Sequence, residues 1–217
     1  MSVGRLFIRK VLEEVGEKRE GLHVTDLVKI SICPRMFWLE SKNPLPPDLE
    51  NALRMWHGKK LHEIVLSLHH EMEVELEGVK GRVDEYFPDV GLVVDKKFVT
   101  YLPNSKDVEK YYGHYILQLK LYAYMLAANG YPVRECRIIF VNITEKNPLR
   151  EHVFEPDLDE CRSLFEDLRE KAMKILASEE PPEIPMLFDP FEYPCSYCNY
   201  RSVCYFRDAV MNSAEDA

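Results

Sequence analysis

The stretch GRVDEYFPDVGLVVDKKFV, residues 81–99, decides how this chain is read. Its two arms are rich in valine and aromatic residues, and Pro88-Asp89-Val90-Gly91 supplies a turn between them, which together predict a β-hairpin. If the hairpin closes about the midpoint of Asp89 and Val90, Asp84 stands directly opposite Asp95. Opposed residues of an antiparallel pair have Cβ atoms roughly 4.5–5.5 Å apart. Two like charges at that separation destabilise a sheet unless a cation lies between them, and carboxylate oxygens suit Mg2+ or Mn2+. Lys97 returns to the face of Asp95 by the strand period of two. A register shifted by one residue would send the two aspartates to opposite faces.

The predicted grouping is two carboxylates and an ammonium around one point. A metal there could polarise a phosphate and acidify its bound water, with Lys97 orienting that water or steadying developing charge. Taken alone, the same hairpin also serves as a solvated surface feature. Two helical motifs shift the balance. GKKLH (58–62) puts His62 beside an apolar helix face, from which a neutral imidazole can reach a sheet-borne metal. In QLKLY (118–122), Gln118 and Tyr122 share a helix face by i,i+4 spacing, and Gln118 is the chain's single glutamine.

Around this centre the pattern alternates between helices and strands. Amphipathic helices are predicted over 3–18 and 48–70, with short ones through DLVKIS, which Thr25 could cap, and CPRMFWLES, with Pro34 in its first turn. Strands are predicted at 72–77, 81–87, 92–99, about 135–143 and 150–154. A long helix is predicted from Asp107 to Asn129 and another from Asp157 to Ala177. The fold class expected is α/β (α+β), a central mixed sheet flanked by helices. Three segments form one unit: helices with the first cysteine (1–47), the core (48–180) and a cysteine-bearing tail (181–217).

Composition narrows the functions. A net charge of −9 over 217 residues argues against a protein that coats nucleic acid, and leaves room for a local basic groove. No apolar run approaches the roughly 20 residues of a membrane span, and MSVGRLFIRKVLEEV lacks a secretory pattern. A cytoplasmic, non-membrane protein is expected, and there clustered cysteines bind metal more often than they pair. Many charges and few amides give a thermophile-like composition.

Six cysteines are present, three of them in CSYCNYRSVC (195–204). Cys195, Cys198 and Cys204 need a fourth partner to close a metal site, and Cys33 in SICPRMF is available. Four such thiolates could hold [4Fe–4S], [2Fe–2S] or Zn2+, and spacing alone does not choose. Cys136 and Cys161 read as buried structural thiols, and are the stand-ins if Cys33 is not a ligand. Tyr111, Tyr112 and Tyr115 precede Gln118 and could stack on unpaired bases, while Lys59, Lys60, Lys106, Lys110 and Lys120 could meet phosphates.

Taken in order, GKKLH, GRVDEY, VVDKK and QLKLY resemble the motifs of RecB-type nucleases of the PD-(D/E)XK superfamily. With Cys33 and the late trio added, the chain resembles the CRISPR-associated RecB-type iron–sulfur exonucleases over roughly residues 22–208. The resemblance implies that His62, Asp84, Asp95 and the backbone carbonyl of Lys96 bind Mn2+ or Mg2+. It implies that Lys97 is the catalytic lysine, and that Gln118 and Tyr122 position DNA or the metal-bound water. It further implies an iron–sulfur cluster on Cys33, Cys195, Cys198 and Cys204, [4Fe–4S] ahead of [2Fe–2S]. The activity implied is hydrolysis of single-stranded DNA, commonly from the 5′ end, alongside CRISPR adaptation proteins. A RecB-like repair nuclease outside CRISPR and a catalytically silent iron–sulfur DNA-binding module are the rival readings. Two positions depart from the family pattern: Asp95 stands where glutamate is frequent, and Phe98 where a small or hydroxyl residue is common.

Overall fold

The computed structural model describes residues 7–8, 10–12, 20–45, 49, 52–53, 55–58, 60, 71–142, 144, 148–183 and 194–204. Two sheets, rather than the single one expected, organise them. The first comprises β1 (Leu22–His23), β2 (Met72–Leu76) and β3 (Val79–Val83), in the order β1-β3-β2. The second comprises β4 (Glu85–Phe87), β5 (Leu92–Phe98), β6 (Glu135–Val141) and β7 (Leu149–Phe154), in that order. The predicted strand over 81–87 is therefore two strands, broken at Asp84. There the chain leaves the first sheet and enters the second.

The hairpin register is the one read from the turn. Glu85 lies opposite Val94, Tyr86 opposite Val93 and Phe87 opposite Leu92. Gly91 adopts φ 67° and its N–H donates to Phe87 O at 2.9 Å, so a residue tolerant of the left-handed region closes the turn. β5 then pairs in parallel with β6, placing Asp95 beside Ile138 and Lys97 beside Phe140. A parallel pair needs a crossover, and the segment between the two strands supplies one.

That crossover is two helices where one was expected. With α1 (Val24–Ile32) and α2 (Pro34–Lys42) earlier in the chain, they are α3 (Ser105–Tyr111) and α4 (Gly113–Ala128). Asn104 caps α3, its side chain accepting from the N–H groups of Lys106 and Asp107. Tyr112 ends it, with φ −118° and ψ 18° outside the helical range, and Gly113 starts α4 on a new axis. The break turns the Tyr112 ring onto Phe140 of β6, centroids 5.3 Å apart.

α4 buries Leu119, Leu121, Tyr122, Ala123, Met125 and Leu126, and it packs on β2 of one sheet and on β5 and β6 of the other. Apolar residues lie all round it, as its position between two sheets requires. α5 (Leu158–Ala177), capped by Asp157, lies against α4 through Phe165, which meets the Tyr124 ring at 5.3 Å. α1 begins at Val24 after His23, so Thr25 sits inside the first turn rather than at the cap. The Asp26 carboxylate accepts the His23 N–H at 2.9 Å instead.

The two ends of the chain meet. Trp38 of α2 donates its indole N–H to Ser178 O at 3.1 Å, and Lys42 reaches Leu176 O at 3.1 Å. Tyr200, near the C-terminus, donates to Asn43 O at 3.1 Å and accepts from Leu45 N–H at 2.8 Å. Residues 7–8 and 10–12, and residues 52–53, 55–58 and 60, are helical where the two amphipathic helices were expected. Phe7 meets Trp56 edge-on at 5.5 Å between them.

Candidate active site

Strand alternation sorts the charges of the hairpin onto two faces. Lys96 turns one way and forms a 2.7 Å ion pair with the buried Glu85. Asp95 and Lys97 turn the other way, toward α4. Asp84, at the crossing between the sheets, accepts the backbone N–H of Lys96 on its Oδ2 at 2.9 Å. That bond anchors the Asp84 carboxylate to β5 beside Asp95, although the β4–β5 ladder itself stops at Glu85.

Asp95 is only 2% exposed. Burial pushes its carboxyl up to about 6, the Lys97 ammonium pulls against that, and the Asp84 charge adds to it. Lys97 donates to Asp95 Oδ1 at 2.9 Å and to Gln118 Oε1 at 3.2 Å. Its Nζ lies 2.9 Å from Asp95 Oδ2 as well, but Oδ2 is fully buried and left without a hydrogen bond. Burial works against the Lys97 charge; Asp95, Asp84 and the Tyr115 phenol group outweigh it and hold the ammonium above its usual range.

α4 supplies the wall opposite. Gln118 and Tyr122 do share its inward face, and Gln118 Nε2 donates to Tyr122 Oη at 3.3 Å. Tyr122 is buried against β3 at Gly81, where an added Cβ would stand 2.6 Å from its ring. Asp95, Lys97, Gln118 and Tyr122 thus form one connected polar line, with Asp84 beside it.

The PD-(D/E)XK nuclease superfamily model matches residues 68–205, well over half of the chain. The chain belongs to this superfamily. Nucleases of this kind use divalent metals such as Mg2+ or Mn2+. Among solved structures, that of SSO0001 is similar at 20% identity and a TM-score of 0.60, covering 94% of this chain and 96% of that one. A phage-related exonuclease from Haemophilus somnus 129PT is similar at 15% identity and a TM-score of 0.44, covering 70% and 78%. The alkaline exonuclease LHK-Exo from Laribacter hongkongensis is similar at 11% identity and a TM-score of 0.36, covering 65% and 88%. No curated protein matches the chain.

The nuclease residues fit a divalent ion in one concrete respect. A buried carboxylate is costly unless cations and donors surround it, and Asp95 has the Lys97 ammonium 2.9 Å from each oxygen while a second carboxylate, Asp84, opposes its charge. A hard cation satisfies both at once. Among the described residues no three His, Cys, Asp or Glu side chains gather as a metal cage, and His62, expected as a further ligand, lies outside the described residues, as does Lys59.

The remaining residues divide. Tyr112 and Tyr115 stack on one another at 5.8 Å and 25° beside Lys97, whereas Tyr111 is 59% exposed at the end of α3 with Lys110 over its ring at 4.8 Å. Lys120 is engaged by Glu160 of α5 at 2.7 Å, so that a carboxylate occupies the ammonium expected to meet phosphate. Lys60 lies on the described helical stretch, and Lys106 is exposed in the first turn of α3. Two features escaped the sequence reading. One is the Glu85–Lys96 pair, and the other is His114, whose ring lies 4.0 Å from that of Tyr115. Burial and the Lys97 charge lower His114 to about 4, so it is neutral at physiological pH.

The cysteines also separate into two groups. Cys136 and Cys161 are fully buried, as read, and burial raises both thiols, Cys161 to about 11. Cys33 caps α2, its Sγ accepting from Met36 N–H at 3.4 Å. Burial raises its thiol too, the N–H groups of Met36 and Arg35 act against this, and Cys195 adds to it. Burial raises Cys198, with further contributions from Cys33 and Cys195, so these three lie within each other's electrostatic reach. Cys204 packs partly buried against the core, its N–H donating to Tyr200 O at 2.8 Å.

Proposed function

We propose that this chain is a Mn2+- or Mg2+-dependent exonuclease of single-stranded DNA, working 5′ to 3′, that carries an iron–sulfur cluster and prepares DNA for CRISPR spacer acquisition. The observation that carries the nuclease reading is the buried Asp95 carboxylate beside Asp84, with the Lys97 ammonium fixed against it. A cytoplasmic setting accords with the cysteine usage, and no helix among the described residues is long and apolar enough to cross a membrane.

In this proposal Asp84, Asp95, the Lys96 carbonyl and His62 hold the ion. A divalent ion so held supplies Lewis acidity and a water more acidic than bulk. Lys97 has three N–H donors and commits two of them, to Asp95 Oδ1 and Gln118 Oε1. In this reading the remaining donor would serve a phosphate oxygen or the attacking water when substrate binds. Gln118, braced by Tyr122, gives the ammonium a second acceptor beside the carboxylate. Burial of this line excludes bulk water, which strengthens each charge interaction during phosphodiester hydrolysis.

Cys33, Cys195, Cys198 and Cys204 would hold the cluster, [4Fe–4S] in preference to [2Fe–2S], and tie the N-terminal helices to the C-terminal tail. Cys33, Cys195 and Cys198 lie within electrostatic reach of one another, although among the described residues no three ligands gather as a cage. Lys59, Lys60 and Lys106 are the basic residues offered to the DNA backbone.

The test is anaerobic purification with assay of iron, sulfide and visible absorption, run beside Mn2+-dependent degradation of 5′- and 3′-labelled single strands. The expected result is a coloured protein with equal iron and sulfide that shortens single strands from the 5′ end. A colourless protein that still cuts would remove the cluster and leave the nuclease. A coloured protein inert with every divalent ion would remove the nuclease.

A further inference from the structure

The Lys97 ammonium rests on three neighbours, and only two of them are hydrogen-bond acceptors. The third is the face of Tyr115, whose ring centroid lies 4.7 Å from Nζ. That is inside the roughly 6 Å over which a ring's negative face attracts a cation. Tyr115 is held in turn from its other sides. His114 packs on it at 4.0 Å, Tyr112 stacks at 5.8 Å, and Phe140 of β6 lies at 6.4 Å. Tyr115, Gln118 and Tyr122 follow one another at three- and four-residue spacing along α4, so one helix face carries every support of the lysine other than Asp95.

We propose that Tyr115 is a positioning residue for Lys97, its ring holding the ammonium where it can donate to the substrate phosphate. This rests on the reading of Lys97 as the catalytic lysine. It replaces the expectation that Tyr115 stacks on a DNA base. The two uses differ in kinetics: a base-stacking ring contributes to substrate affinity, whereas a ring that places the lysine acts on the chemical step.

Tyr115→Leu removes the ring and Tyr115→Phe keeps it. Hydrolysis of a single-stranded oligonucleotide with Mn2+ is measured for both, together with carbon NMR of metal-free protein labelled at lysine. The Leu variant is expected to lower kcat by about 2- to 30-fold, the range of a desolvated cation–π contact, with KM within about twofold of wild type. The Lys97 ε-methylene resonance, shifted upfield by the Tyr115 ring in wild type, should return toward its ordinary position. Tyr115→Phe should restore both the kcat and the shift. The proposal is overturned by a Leu variant with wild-type kcat, by a loss confined to KM, or by a Phe variant as impaired as Leu. If the Leu variant does not fold, an unshifted Lys97 resonance in the wild-type protein overturns it. Hydrolysis that survives Lys97→Ala would instead remove the catalytic role of the lysine, and the NMR shift would still report whether the ring contact exists.

Discussion

Replacing Gly81 by alanine tests how the first sheet seats the active-site helix. Gly81 does not need a left-handed backbone; it needs space. A Cβ there would stand 2.6 Å from Tyr122 Cε1, 3.2 Å from Cδ1 and 3.0 Å from Val24 Cγ2. Carbon atoms settle at roughly 3.5–4.0 Å, so the closest contact is short by about 1 Å. β3 cannot retreat, because β1 and β2 hold it on both sides. Tyr122 cannot easily retreat either, since α4 is packed against both sheets. Forced overpacking of this kind costs about 1–3 kcal/mol. For a chain of this length that lowers Tm by about 2–12 °C. A shifted Tyr122 also loses its 3.3 Å contact to Gln118, which in turn supports Lys97, so kcat should fall with stability. The assay is a double-mutant cycle in urea or thermal melts with Tyr122→Leu. In the Leu background the added methyl meets no ring and only the 3.0 Å approach to Val24 Cγ2 remains, so most of the Gly81→Ala penalty should disappear. A Gly81→Ala protein as stable as wild type, or a penalty unchanged in the Leu background, would refute the packing argument.

The raised Asp95 carboxyl makes metal binding proton-linked: below about 6 the free protein holds a proton on Asp95 that the ion must displace. Calorimetry of Mn2+ binding in buffers of different ionisation enthalpy should therefore show release of nearly one proton at roughly pH 5 and little by roughly pH 7.5, with affinity rising across that window. The same shift has a sign for the metal-free protein. A carboxyl raised in the folded state stabilises fully below its unfolded value near 3.9, and that contribution is lost as pH climbs through about 6. Chelated protein should accordingly lose melting temperature over that interval unless Mn2+ is restored. Tyr200→Phe would strip the hydroxyl that bridges Asn43 O and Leu45 N–H, a loss of about 1–3 kcal/mol. Urea melts of cluster-free protein should show that loss, and an unchanged midpoint would mean that the ends are not held there.

Much of the site could be read from the sequence because it depends on local rules. The turn at Pro88–Gly91 fixed the hairpin register, and period two then put Asp95 and Lys97 together. Helical spacing likewise joined Gln118 to Tyr122. The Glu85–Lys96 pair follows from the same logic, since those opposite charges lie diagonally across one face of the hairpin. Other features were settled by distant packing. Nothing in GRVDEYF distinguishes one long strand from two strands of different sheets, and the break at Asp84 follows from where β1 and β5 lie. The bend at Tyr112 is fixed by contact with Phe140, far along the chain. Lys120 was offered to DNA on charge alone, whereas α5 brings Glu160 to it.

The central claim is that Asp95 and Lys97 carry a metal-dependent hydrolysis. The direct measurement is Mn2+-supported release of nucleotides from a labelled single strand by wild type, Asp95→Asn and Lys97→Ala, each first shown to melt as a folded protein. The account predicts hydrolysis by wild type that chelation abolishes, and losses of about 100-fold or more in kcat for both variants. Full activity in either variant, or wild-type cleavage indifferent to chelation, would contradict it.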